Sequence, residues 1–238
     1  MNKLATPLFL LFITAFVSGQ SRSIPIDTMI VTKHSTTING SNVGYTATAG
    51  MQPVWDKLGK PIATLQYTYY KRNDLGNTTA KRPLLISFNG GPGSASVWMH
   101  VAYTGPQVLN IDEEGYPVQP YGVSENPYSV LDVADIVFIN PANTGYSRTI
   151  PESGKEVDRD KFFGINADIK YLAGWLTTFV TRHNRWRSPK YIIGESYGGT
   201  RVAGLALELQ EAQWMYLNGV IMVSPADYQA FQSDNAIS

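Results

Sequence analysis

Tyr191-Ile192-Ile193-Gly194-Glu195-Ser196-Tyr197-Gly198 is an apolar run that breaks into a serine set between two glycines. The run reads as a short buried strand. The Gly-x-Ser-x-Gly pattern ending it reads as a sharp turn from strand into helix, with the serine held proud of the sheet and its hydroxyl exposed. Glycines flank such a turn because a Cβ on either side would strike the returning chain.

A second glycine run supplies context. Leu84-Leu85-Ile86-Ser87-Phe88 is another buried-strand pattern, and Asn89-Gly90-Gly91-Pro92-Gly93-Ser94-Ala95-Ser96 follows at once. Acyl transfer through a serine needs backbone N–H groups aimed at the developing oxyanion. In the α/β-hydrolase arrangement one N–H belongs to the residue after the serine, here Tyr197, and the other to a glycine-rich loop after an earlier strand. Gly90-Gly91 is placed to be that loop.

Asn89-Gly90-Gly91-Pro92-Gly93-Ser94 together with Gly194-Glu195-Ser196-Tyr197-Gly198 resembles the serine carboxypeptidases, a family of α/β-hydrolases. Asn126-Pro127-Tyr128-Ser129, the stretch from Phe138 to Ser147 and Gly219-Val220-Ile221-Met222-Val223-Ser224-Pro225 look like the same family, so the likeness runs from about Thr64 to Ser238. The resemblance implies Ser196 as nucleophile, with the N–H groups of Gly91 and Tyr197 as oxyanion hole. Asn89, Glu195 and the Gly90 backbone would hold the free C-terminal carboxylate of a peptide. Asn89 can donate from its amide, whereas Glu195 can donate only when protonated. Two carboxylates in one site do not both stay ionised cheaply, so a shared proton and better activity at acid pH are expected. Some positions depart from the family pattern. Phe88 stands for Trp, Ser94 for a disulfide-forming Cys, Tyr103 for a supporting Glu, and Asn140 for the Asp before Pro141. The likeness is to a divergent, cysteine-free branch.

A serine nucleophile needs a histidine base oriented by an acid, and in α/β-hydrolases the chain order is Ser, acid, His. All three histidines, His34, His100 and His183, precede Ser196. Asp227 and Asp234 follow it, close to the end. The expectation is the N-terminal portion of such an enzyme, ending before its last strands and so exposing a sheet edge. His34 reads as solvated on a polar strand and His183 as complementing a helix C-terminus. His100, just after the glycine loop, is a candidate base. Besides a carboxypeptidase, two readings stay open: an inactive module that binds peptide C-termini, and an esterase-like hydrolase.

Residues 1–19 read as a cleavable signal peptide: Lys3, an apolar core from Leu8 to Val17, and Val17-Ser18-Gly19 at the cut. That run is shorter than the ~20 residues of a membrane span, so a secreted or periplasmic protein without a stable membrane anchor is expected. The chain has no cysteine, which excludes disulfides and thiolate metal sites and leans toward a periplasm. The 19 basic and 19 acidic residues balance, with no steering toward nucleic acid. The one basic stretch, Arg182 to Arg187, reads as a solvated connector. No cofactor or metal is expected, and the partner is a peptide or protein C-terminus.

Residues 20–238 read as one α/β domain with a mostly parallel sheet and flanking helices. Edge strands are expected over Ile26–Ile38 and Tyr45–Ala49, and Ile62–Tyr70 alternates as a strand in an antiparallel hairpin. Ala134–Ile139 and Val220–Val223 are further strands. Phe162, Ile165, Ile169, Leu172, Leu176 and Phe179 recur at steps of three and four, the apolar face of a long helix. A second helix follows Ser196 to about Glu211.

Overall fold

The computed structural model describes residues 25–73, 81–152 and 154–226. The expected signal peptide lies outside them. A central sheet dominates, built in the order β1-β2-β3-β7-β4-β9-β10. Three long antiparallel strands form one wing: β1 (Thr28–Ile38), β2 (Ser41–Trp55) and β3 (Pro61–Arg72). The Asn39-Gly40 turn, with both residues at positive φ, joins the first two. Val123–Glu125 (β6) pairs with Gln107–Leu109 (β5) in a separate two-stranded sheet, and the short Arg148–Thr149 (β8) caps β3.

The other half is parallel: β7 (Asp135–Ile139), β4 (Leu84–Phe88), β9 (Lys190–Glu195) and β10 (Gly219–Val223). All five residues of β4 and all five of β7 are buried. That fits apolar runs covered on both faces. Helix α1 (Ile165–Arg182) carries the chain from β7 to β9, and α2 (Tyr197–Gln213) carries it from β9 to β10. The apolar stripe of α1, including Ile169, Leu172, Trp175, Leu176 and Phe179, fills the larger core against β2, β3 and β4. At Gly204 of α2 an added Cβ would lie 2.1 Å from Cδ1 of Ile169, so this glycine lets the two helices meet closely.

The basic stretch departs from expectation. Arg185 is fully buried and pairs with Asp135, which also accepts from Arg82 Nε at 2.8 Å. Asp135 opens β7 at the end of the sheet opposite Ser196. A buried carboxylate needs compensating donors, and the connector supplies one of them. His183 is corrected too. It closes α1 as its C-cap residue, but burial and then Arg185 and Arg182 lower its pKa to about 4. The ring is therefore neutral and cannot serve the helix dipole as a cation; it packs 4.3 Å from Phe179 instead.

Candidate active site

The parallel strands end together, and their C-terminal ends bring the glycine runs side by side. Phe88 of β4 is in register with Gly194 of β9, so Asn89 and Glu195 leave the sheet level with each other. Asn89 Nδ2 donates to Glu195 Oε2 at 3.3 Å. Its Oδ1 accepts the Met99 N–H at 3.0 Å. A backbone N–H can only donate, so this contact fixes the orientation of the carboxamide and turns the NH2 toward Glu195.

Gly90 sits against the second bend. A Cβ there would lie 2.6 Å from the Glu195 carbonyl oxygen, 2.7 Å from Cβ of Ser196 and 2.8 Å from the Tyr197 nitrogen. Contacts that close with backbone leave room for glycine alone. Gly91 follows at φ +112°, a conformation that side chains rarely adopt. The loop closes on itself through Asn89 N–H to Ser96 Oγ at 3.3 Å and Ser96 N–H to Asn140 Oδ1 at 2.9 Å. Asn140 also donates through Nδ2 to Gln66 Oε1. The amide accepts and donates at once, which a carboxylate in its place would not do.

Ser196 is strained, at φ 56° and ψ −123°. Gly194 and Gly198 make this turn possible: a Cβ on Gly194 would stand 2.1 Å from the Gly198 carbonyl oxygen. Ser196 N–H donates to the Val223 carbonyl at 2.9 Å, and its own carbonyl accepts from Gly199 and Ala226. Tyr197 then opens α2, so its N–H lies in the first turn of the helix, on the side of the Gly90 bend.

The three histidines stand apart from this cluster. His34 is exposed on β1 beside Thr32. His100 meets the Tyr70 hydroxyl at 2.6 Å and stacks 4.6 Å from Phe138, and burial lowers its pKa to about 4. Among the described residues no histidine hydrogen-bonds Ser196, and no group of His, Cys, Asp and Glu could hold a metal. No described helix is long and apolar enough to cross a membrane.

Beneath the bends lies a feature absent from the sequence reading. Arg201 Nε donates to Asp168 Oδ2 at 2.7 Å and Arg201 Nη1 to the Asn89 carbonyl at 2.9 Å. Asp168 also accepts from Tyr171 at 2.9 Å and Tyr197 at 3.4 Å. Burial, and then the Asp168 carboxylate, hold the Tyr171 phenol protonated well above its ordinary range. The sequence does carry one signal. Asp168 falls on the apolar stripe of α1, where a charge demands a partner.

The serine carboxypeptidase family profile matches residues 59–237. Serine carboxypeptidase-like 36 of Arabidopsis thaliana is 30% identical over 183 residues, 74% of this chain and 35% of that protein. The human retinoid-inducible serine carboxypeptidase is 30% identical over 165 residues, 67% of this chain and 32% of its own length. The chain thus spans about a third of these relatives. The prohormone-processing carboxypeptidase Kex1 of Saccharomyces cerevisiae superposes with a TM-score of 0.60 at 20% identity, over 81% of this chain and 43% of Kex1; that likeness is one of fold. A profile that covers both glycine bends, on a sheet that brings them together, places the chain in the serine carboxypeptidase family, with an α/β-hydrolase fold.

Proposed function

We propose that this chain carries the nucleophile and the carboxylate-binding half of a serine carboxypeptidase site. One observation carries the reading: the glycine loop after β4 is packed against the Ser196 bend, with Asn89 and Glu195 in contact beside it. In this reading Ser196 Oγ attacks the carbonyl of the last peptide bond. The N–H groups of Gly91 and Tyr197 take the oxyanion, where fixed backbone dipoles act without reorganisation. Asn89, Glu195 and the Gly90 backbone take the substrate's C-terminal carboxylate. Glu195 and that carboxylate share a proton, so capture strengthens as pH falls.

None of the three histidines is placed as the base: His100 and His183 are committed to aromatic packing and His34 to the surface of β1. The same commitment favours a second reading for the 238-residue chain on its own: it binds peptide C-termini without cleaving them. The family supports a peptide partner, and the leader-like residues 1–19 together with the lack of cysteine support a secreted or periplasmic setting.

A binding titration tests this. A short peptide with a free carboxylate is expected to bind more tightly than its C-terminal amide in mildly acid buffer, and the advantage is expected to shrink toward alkaline pH. Equal affinity for acid and amide at every pH would remove carboxylate capture. A fluorophosphonate probe is expected to label Ser196 weakly or not at all in this chain. Rapid labelling would show a base that we have not assigned.

A further inference from the structure

Arg201 occupies a position from which it reaches both bends of the site without touching the space above them. Its side chain is 2% exposed. Through Nε it is fixed to Asp168, and through Nη1 to the main-chain carbonyl of Asn89. Its guanidinium lies over the rings of Phe88, 5.5 Å from the centroid, and Tyr197, 5.0 Å away. The planar fork therefore links the residue before the glycine loop, the residue after Ser196 and, through Asp168, helix α1.

We propose that Arg201 is a positioning residue that aims the Asn89 carboxamide at the substrate carboxylate; the proposal rests on the carboxylate-capture reading above. Asn89 is tied at its N–H, its carbonyl and both side-chain polar atoms. Ser96 and Met99 hold it from within its own loop, whereas Arg201 is its anchor to α2. With that anchor gone, the peptide unit after Asn89 can rotate, and the Asn89 backbone and its carboxamide shift with it. Asp168 is the counterweight. It neutralises the buried guanidinium and takes the Tyr197 hydroxyl, so one ion pair registers Asn89 against the first turn of α2. The pair borders a cavity of about 230 Å³ that also touches Gly93 and Ala142, so water can reach a shorter replacement.

Arg201→Lys separates positioning from folding. A lysine keeps the charge opposite Asp168 but is a single point donor, and cannot serve carboxylate and carbonyl together in the fixed geometry of the fork. We measure the affinity of the 238-residue chain for a peptide acid and for the matching amide, with far-UV circular dichroism as the check on folding. The unaltered chain prefers the acid. Arg201→Lys is expected to lose about tenfold in affinity for the acid, the scale of one misaligned hydrogen bond to a charged group. Its affinity for the amide is expected to change less than about twofold, since the amide does not draw on that bond.

A folded Arg201→Lys chain that keeps the native acid-to-amide ratio overturns the inference. An unaltered chain that does not distinguish acid from amide overturns the carboxylate-capture reading and the inference with it. Should Arg201→Lys fail to fold, the unaltered chain still decides by NMR. On saturation with the acid peptide, the Arg201 Nε–H and Asn89 side-chain amide resonances are expected to move together, and with the amide neither does. An Arg201 signal that stays fixed while Asn89 moves overturns the coupling.

Discussion

His100 gives the fold a measurable acid weakness. The imidazole meets Tyr70 and Phe138, and burial lowers its pKa from 6.5 to about 4. In the unfolded chain the group is solvated and titrates near 6.5. Above that pH both states are neutral and the residue contributes no pH dependence. Between 6.5 and about 4 the unfolded chain binds a proton that the folded chain refuses, so folding stability falls with pH over this window. Below about 4 both states are protonated and the loss levels off. A depression of roughly two and a half units, at ~1.4 kcal/mol per unit, amounts to about 3 kcal/mol. That is a sizeable fraction of the ~5–15 kcal/mol that stabilises a typical domain.

His100→Gln isolates this term. Glutamine retains a hydrogen-bonding partner for the Tyr70 hydroxyl and does not titrate. Losing the stack on Phe138 is expected to cost about 1 kcal/mol at neutral pH. Urea unfolding of both chains at closely spaced pH values from neutral to about 4 yields a difference curve in which His183 and the carboxylates cancel. The variant begins less stable, and the curves are expected to cross as the native chain gives up its ~3 kcal/mol. A difference that stays constant across this range would show that His100 takes its proton equally in both states, and the burial argument would be wrong. The result also bears on the proposed function, since the carboxylate capture proposed above is expected to strengthen in the direction in which the fold weakens.

Two further substitutions probe the close approaches. Gly90→Ala places a methyl within 2.8 Å of three atoms of the second bend, two of them backbone. It is expected to destabilise by more than about 2 kcal/mol in urea melts and to abolish the preference for the peptide acid; a variant with native stability and native preference would mean that the bends are not in contact. Gly204→Ala meets instead the end of the Ile169 side chain, at 2.1 Å. It is expected to cost about 1–3 kcal/mol. Ile169→Val on top of it is expected to recover part of the loss, which a double-mutant cycle reads directly.

The parallel half of the sheet was legible because its strands are short apolar runs, each followed by a glycine, asparagine or serine turn. The wing was less so. The strand expected over Tyr45–Ala49 is β2, Ser41–Trp55, because Gly50, Gln52 and Pro53 break the sequence pattern. They are accommodated by pairing and packing: a Cβ on Gly50 would meet the Tyr67 ring at 2.4 Å, and Gln52 exchanges hydrogen bonds with Trp175. Phe162 fitted the periodicity of α1 but lies before it, since Gly164 at φ 113° turns the chain into the helix. Ser196, Asn89 and Glu195 could be singled out because they sit in contiguous glycine motifs, and the sheet brings those motifs together. Asp168 with Arg201, and Asp135 with Arg82 and Arg185, could not. Each pair joins segments 33 or more residues apart, so even where Asp168 on an apolar stripe calls for a partner, nothing local says which residue answers.

The strain at Ser196 explains why these glycines and ion pairs gather where they do. A non-glycine residue at φ 56° with ψ −123° costs on the order of 1–3 kcal/mol and persists only where its surroundings over-determine it. Here they do so from every side. The serine N–H is held by Val223 of β10, and its carbonyl by Gly199 and Ala226. A Cβ on Gly90 would lie 2.7 Å from that of Ser196, and one on Gly194 2.1 Å from the Gly198 carbonyl oxygen, so only glycines let the chain close this tightly around the serine. Both backbone groups of Ser196 are thus consumed in holding the bend, and among the described residues its Oγ has no hydrogen-bond partner. A fold that used this serine only for structure would engage the hydroxyl and relax the backbone. Here the backbone carries the strain, and no described residue engages the hydroxyl, which stands beside the glycine loop that follows β4.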